Sequence, residues 1–295
     1  MSKNLFTLYC VFIMLLVQAC GTRPLNYESA TYPVTEQKMK FSLLIHSVKS
    51  AKKVALIVPH PFDKFDYQKN PITRFLIREG YSIVISPTVK EIPNLDKRKW
   101  TYGLADAFYR ARQDSLIPAH PDDFILIGFE EGGYILTDLA GQLKPDLFIA
   151  INSGPHSPMQ EMLLALQDTS ADAEPFVKAY DAIDSTELAL KTHTFQNDRY
   201  KPVLLGERSG EYWLSFYEDP AYQKMLYSTY PGYYILFKQY PLINTSSVEL
   251  LERVLPKEPS RKVELISLPG KGEWKNEEDL DQLTKQLKSI VNNPR

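Results

Sequence analysis

The sequence predicts an α/β fold: a mostly parallel central sheet flanked by helices, with a helical insertion late in the chain. Three observations carry that expectation. Residues 54–58 (Val54-Ala55-Leu56-Ile57-Val58), 81–86 and 147–151 are near-continuous apolar runs of strand length, the mark of strands buried on both faces. Segments with apolar residues at helical spacing alternate with them. One stretch, Phe124-Ile125-Leu126-Ile127-Gly128-Phe129-Glu130-Glu131-Gly132-Gly133-Tyr134, reads as a buried strand, a glycine-pinched turn and the start of a helix. At 295 residues, 44% hydrophobic and 24% charged, the chain suits one large α/β domain or two small ones and can bury a sizeable core. A net charge of -2 and a pI near 6.2 make no case for nucleic acid, which calls for a strongly basic face. The 18 tyrosines favour a globular protein with aromatic-lined grooves.

Taken in order, residues 1–19 read as a targeting segment. Lys3 supplies a positive start, and residues 5–17 are an apolar stretch of about 13 residues, too short to span a bilayer. Val17-Gln18-Ala19-Cys20 resembles a bacterial lipobox, which implies that Cys20 is acylated and residues 1–19 are removed. An ordinary signal peptide cut near Ala19, or a core strand, are the alternatives. More than one acyl chain on one cysteine holds a protein stably to a membrane, so the expected location is the bacterial cell envelope. Cys10 and Cys20 are the only cysteines; the mature chain would have neither a free thiol nor a disulfide, which excludes cysteine catalysis and thiolate metal sites. Loss of Lys3 takes the formal charge from -2 to -3.

Residues 20–40, with Gly21, Pro24 and Pro33, read as a lipidated tether and 41–295 as the domain. Strands are expected at 40–47 and 54–58. A helix follows at 70–79, with Pro71 in its first turn, Ile72, Phe75 and Leu76 on one face and Gly80 as its stop. Strand 81–86 comes next, closed by Pro87. A helix at 100–115 places Leu104, Ala107, Phe108 and Ala111 together. Strand 124–127, helix 134–143 and strand 147–151 complete a β-α-β-α-β alternation, which implies parallel strands and right-handed crossovers. From 157 to about 231 the pattern loosens into short helical pieces at 159–167 and 174–182. Strand 233–237, helix 247–255, strand 263–268 and the amphipathic helix 277–291 end the chain.

Gly128, Glu130 and Gly132 stand at the spacing of the G-x-S-x-G nucleophile elbow. With the order of elements, this resembles the α/β-hydrolase superfamily, especially its serine-aminopeptidase and esterase-like branch, over residues 40–292. Softer matches are Pro59-His60-Pro61, Tyr212-Trp213 with Asp219-Pro220, and Leu268-Pro269-Gly270-Lys271-Gly272-Glu273-Trp274. The resemblance implies that 157–231 is a lid, and that serine, an acid and histidine act in that chain order. Each slot holds something else. The nucleophile slot holds Glu130; the acid slot falls on Lys238-Gln239-Tyr240-Pro241, with Tyr240 and no carboxylate; the histidine slot holds Glu273. His60 and Glu131 fall in the oxyanion region. Three changed slots argue that serine chemistry was abandoned.

Other readings stay open. Lys201 to Ser209 also looks like the acid-bearing strand, although its distance from Glu273 places it in the lid. Ser153 and His156 could form a relocated catalytic pair, against a plain polar turn. A carboxylate at position 130, at a helix N-terminus worth about 0.3–1 kcal/mol to a negative charge, could plug the oxyanion hole with its own oxygen. Glu273 would approach it, and of two carboxylates in a dry cleft one would hold its proton. Such a pair could grip a cation or an amine, or act as in a glycosidase if about 5–5.5 Å apart. Glu130, Glu131 and Glu273 are oxygen donors, but no spaced ligand motif supports a metal, and no cofactor is implied. Glu131 and Glu273 read equally well as solvated charges. Trp213, Phe216, Tyr217, Tyr222, Tyr230 and Tyr233 would line the cleft or pack under the lid. The expected function is a membrane-anchored lipoprotein without serine hydrolase activity, binding a small ligand or a partner protein at the envelope. The alternative is an active hydrolase on esters or amides with rearranged residues.

Overall fold

The computed structural model describes residues 25–34, 39–59, 68–86, 95–168, 174–199, 208–217, 219, 221–255, 262–272 and 276–292. Eight strands form one sheet: β1 (Glu28–Val34), β2 (Met39–His46), β3 (Lys53–Val58), β4 (Tyr81–Ile85), β5 (Asp123–Phe129), β6 (Leu147–Ile151), β7 (Gly232–Phe237) and β8 (Val263–Leu268). Their spatial order is β1-β2-β4-β3-β5-β6-β7-β8. The pairs β1–β2 and β2–β4 are antiparallel; every pair from β4 to β8 is parallel. The expected α/β architecture with a mostly parallel sheet is the one observed. Val54 to Val58 have no exposed surface at all, as their unbroken apolar run requires. The parallel strands end on one edge, the edge where ligands bind in open α/β sheets, and β5 at the centre delivers Glu130 there.

Local chemistry fixes the helix starts. In α1 (Pro71–Arg78) Asn70 caps the N-terminus, its side chain accepting from the Ile72 amide at 2.9 Å, and Gly80 at φ +85° turns the chain into β4. Helix α2 (Lys97–Gln113) begins three residues before the periodicity suggests. Asp96 accepts from the Lys99 amide at 2.7 Å, and the run Lys97-Arg98-Lys99 hides the first turn from a hydrophobic pattern. Its apolar face packs on the sheet, with Phe108 stacked on Phe124 at 4.9 Å. After the elbow come α3 (Glu131–Tyr134) and α4 (Leu136–Leu143). Among the described residues, four α-helices and a 3-10 turn (Gln196–Asp198) fill the connection between β6 and β7: α5 (Pro158–Asp168), α6 (Glu174–Thr192), α7 (Gly210–Tyr217) and α8 (Ala221–Leu226). Helices α9 (Thr245–Val254) and α10 (Glu277–Asn292) complete the chain; α10 buries Leu283, Leu287 and Ile290. Among the described residues, no helix is long and apolar enough to cross a membrane.

One segment corrects the sequence reading. Residues 28–34, taken as tether, are strand β1, paired with β2 from Glu28↔Ile45 to Val34↔Met39. Alternation is present, with Tyr32 buried and Thr31 and Pro33 exposed, but the proline and the small polar residues masked it. Pro33 is tolerated because β1 is an edge strand. Helix α6 also runs ten residues further than its expected end at 182, because Ile183, Thr186 and Leu190 continue a buried face.

The root of the inserted helices is tied to the main domain by a buried carboxylate. Ser157 and Gln160 form a capping box, the Gln160 amide donating to Ser157 Oγ at 3.3 Å and the Ser157 amide to Gln160 Oε1 at 3.2 Å, with Pro158 in the first helical position. One turn in, Glu161 accepts from the His156 amide at 2.9 Å and from Ser247 Oγ on α9 at 2.6 Å. Asn244 adds a second tie from Nδ2 to the Leu164 carbonyl at 2.6 Å. Burial pushes the Glu161 carboxyl up to about 7, although both donors pull it down. The folded chain therefore keeps a proton that the unfolded chain has released above the ordinary value of 4.5. Stability contributed by this group is complete below that value and lost as pH rises through about 7. Chemical denaturation across this window should show wild type losing about 3 kcal/mol relative to Glu161→Gln.

Candidate functional site: a strained elbow carrying a carboxylate

The turn after β5 is held by crowding on all sides. Glu130 sits at φ +50°, ψ -116°, a region that non-glycine residues occupy only when the surroundings enforce it, at a cost of about 1–3 kcal/mol. A Cβ on Gly128 would lie 2.6 Å from the Gly132 carbonyl oxygen, and one on Gly132 would lie 2.4 Å from the Val58 carbonyl oxygen. One on Gly133 would lie 1.8 Å from Ser153 Oγ. Strand β3, the turn and the exit of β6 thus meet at backbone contact. Hydrogen bonds complete the clamp. The Glu130 amide donates to the Ile151 carbonyl at 2.8 Å, the Gly133 amide to the Glu130 carbonyl at 2.9 Å, and Ser153 Oγ to the same carbonyl at 2.7 Å. This is the geometry that exposes a nucleophile, and it presents a glutamate of which 9% is exposed.

Glu131 engages the residues that begin α7. It is buried, accepts from Arg208 Nη1 through one carboxylate oxygen and from the Tyr212 hydroxyl through the other. The reading of Glu131 as a solvated charge is therefore corrected. Burial works against the Arg208 charge, but Glu131 outweighs it and holds the guanidinium above its ordinary value. Burial, then Glu131, push the Tyr212 hydroxyl well up, so it stays a donor. The guanidinium also lies over the rings of Tyr212 at 4.7 Å and Trp213 at 5.1 Å. Through this cluster the N-terminus of α7 is bolted to the elbow. Sequence reading missed Arg208 because nothing in its neighbourhood marks it as the partner of a residue 77 positions away.

The remaining candidates are placed as follows. Ser153 is fully buried and its hydroxyl donates to the Glu130 carbonyl at 2.7 Å. His156 is half-buried, and burial lowers its pKa. Trp213 and Phe216 are core residues, not cleft walls, while Tyr217, Tyr230 and Tyr233 are partly buried. Tyr240 follows β7 in a turn closed by its amide donating to the Phe237 carbonyl at 3.0 Å, and it is 8% exposed. Gly272, at φ +68°, packs so closely that a Cβ would lie 2.7 Å from Asn152 Nδ2 and 2.8 Å from the Phe237 ring. The loop leading to residue 273 therefore approaches the β6 exit beside the elbow. Asn152 was not anticipated. It adopts φ +52°, and its Oδ1 accepts from the Phe237 amide at 3.3 Å, joining β6 to β7. An asparagine directly after a buried strand is a signal for that conformation. Cys20, His60, Glu273, Trp274, the side chain of Tyr222 and the segment 201–207 lie outside the described residues. Among the described residues, no three of His, Cys, Asp and Glu gather as metal ligands.

No protein-family model and no curated protein matches the chain. Solved structures do. Est1E from Butyrivibrio proteoclasticus is 12% identical with a TM-score of 0.61, spanning 90% of this chain and 97% of that one. The Pyrococcus furiosus esterase Pf2001 is 14% identical with a TM-score of 0.61, spanning 91% and 92%. A soluble variant of monoglyceride lipase from Saccharomyces cerevisiae is 12% identical with a TM-score of 0.62, spanning 92% and 96%. The chain has the α/β-hydrolase fold. At these identities the likeness shows the fold alone.

Removing Arg208 leaves the Glu131 carboxylate buried against the elbow without its cation. Arg208→Met should destabilise by about 3–5 kcal/mol, and the added Glu131→Gln should restore much of it, a non-additivity that denaturant melts of the cycle would measure.

Proposed function

We propose that this protein uses the α/β-hydrolase fold as a binding scaffold and lacks serine hydrolase activity. The carrying observation is the elbow itself: the position that presents a nucleophile, strained φ included, holds Glu130. A glutamate there is not the hydroxyl that attacks in serine acyl transfer. The neighbouring Ser153 is buried and donates to the elbow backbone, which supports this reading over a relocated nucleophile on the β6 exit. Absence of a carboxylate and a histidine from the two further slots, Tyr240 and Glu273, supports the same reading. The protein's ligand is a small molecule or an envelope protein. Through Cys20 the chain is anchored to a membrane of the bacterial cell envelope.

A second reading is a working ester or amide hydrolase with rearranged groups. It is favoured by the solved neighbours, which are named as esterases, hydrolases and a lipase.

Short-chain nitrophenyl esters and a fluorophosphonate label separate the two. Neither turnover nor labelling is expected of wild type or of Glu130→Ser, whereas Glu130→Ser with Tyr240→Asp and Glu273→His should gain measurable esterase activity. Brisk turnover by wild type would establish the second reading. For the anchor, cells fed labelled palmitate should incorporate it into wild type and not into Cys20→Ser, which should move from the membrane to the soluble fraction; a Cys20→Ser protein that remains membrane-bound would contradict the anchor.

A further inference from the structure

The chain joins the domain soon after Cys20. Leu25 is already fixed: its amide donates to Gln68 Oε1 at 2.9 Å, and its carbonyl accepts from Gln68 Nε2 at 2.8 Å. The Asn26 carbonyl is 2.7 Å from His46 Nδ1, and the ladder of β1 with β2 begins at Glu28. Cys20 thus stands five residues from a fixed point of the domain, a reach of at most about 17 Å. A globular domain of this length is roughly 45–50 Å across. A lipid on Cys20 can therefore bring to a membrane only the side from which β1 starts.

That side carries a bare sheet face. Tyr32 and its partner Phe41 point inward and are buried, and α2 packs so closely on Phe41 that a Cβ on Gly103 would lie 2.0 Å from the ring. Alternate residues point outward. These are Ser29, Thr31 and Pro33 on β1 with Lys40 and Ser42 on β2, and all five are exposed. The Thr31 and Ser42 hydroxyls, opposite each other in the ladder, share a hydrogen bond of 2.8 Å. One strand further in the cover returns, since Ile85, opposite Leu44, is buried.

We infer that the short tether from Cys20 holds this outer face of β1 and β2 against the bilayer surface. The inference rests on the anchoring proposed above and adds the orientation of the domain. The face is chemically suited to polar headgroups. It offers three hydroxyls, a proline and one lysine, and none of the five residues is a carboxylate that anionic lipids would repel. It is poorly suited to a protein partner. Two strands about 4.8 Å apart present about 200 Å², against about 800 Å² per side in a stable interface. None of the five is an aromatic residue or an arginine that could anchor such a contact.

The test uses the full protein, carrying labelled palmitate and reconstituted into vesicles of phosphatidylethanolamine and phosphatidylglycerol. Beyond Cys20 the sequence has no cysteine, so Ser29→Cys and Lys262→Cys each accept one fluorophore. The first lies on the bare face. The second is exposed beside β8, at the opposite edge of the sheet, about 34 Å away at 4.8 Å per strand. A quencher on the lipid headgroup should remove most of the emission at Ser29→Cys and little of it at Lys262→Cys. About twenty Gly/Ser residues inserted ahead of Leu25 give the tether an average reach of about 25–30 Å and should abolish that difference. Equal quenching at the two positions, stronger quenching at Lys262→Cys, or quenching at Ser29→Cys undiminished by the longer tether would overturn this orientation and leave the anchor standing. Failure of palmitate to attach would remove the anchor and this orientation with it.

Discussion

The structure depends on one close approach, where the backbone of the β5–α3 turn passes between the end of β3 and the exit of β6. The Val58 carbonyl, the Gly132 α-carbon and Ser153 Oγ stand where no further atom fits. That crowding holds Glu130 in a conformation it would not choose and fixes the relative positions of the three central strands. Everything that converges on the sheet edge is then positioned by it: Asn152 bridging to β7, the Gly272 loop pressing on Asn152, and Arg208 joining the inserted helices to Glu131. The architecture of a nucleophile elbow is thus retained in full by backbone packing, which is indifferent to the side chain that the elbow displays.

On the proposed reading, this separation lets a fold and its chemistry come apart. Glycines at 128, 132 and 133 are demanded by sterics, and larger residues there would push apart elements of the core. The buried Glu131–Arg208 pair works in the opposite sense. It adds no reactive group, yet it ties the insertion to the elbow with a charge pair whose members are costly to leave alone. Among the ties that hold the inserted helices are Glu161 on Ser247 at their root and Arg208 on Glu131 further along.

Much of this was legible in the sequence where the physical signal is local. Apolar runs located β3 to β7, because a strand covered on both faces has no polar alternation, and the elbow was visible through its glycine spacing. Strand β1 was not, since Pro33 and the small polar residues around Tyr32 resemble a linker until β2 is there to pair with them. Likewise Glu131 looked like a surface charge, because the partner that permits its burial stands in another element, and Ser153 looked like a candidate nucleophile, because its commitment to the Glu130 carbonyl is a tertiary fact. Glu161 gave no signal either; its burial arises only where α5 meets α9. Charges and hydroxyls are the residues that periodicity reads worst, and they are the ones that decide the site.

The central claim is that the elbow keeps its shape while presenting a carboxylate that does not perform acyl transfer. A crystal structure of the protein soaked with a phosphonate ester mimic would test it most directly. The account predicts Glu130 at positive φ, Ser153 still donating to its carbonyl, and no phosphorus bonded to any side chain. A covalent phosphonyl adduct on a serine at the sheet edge would contradict it.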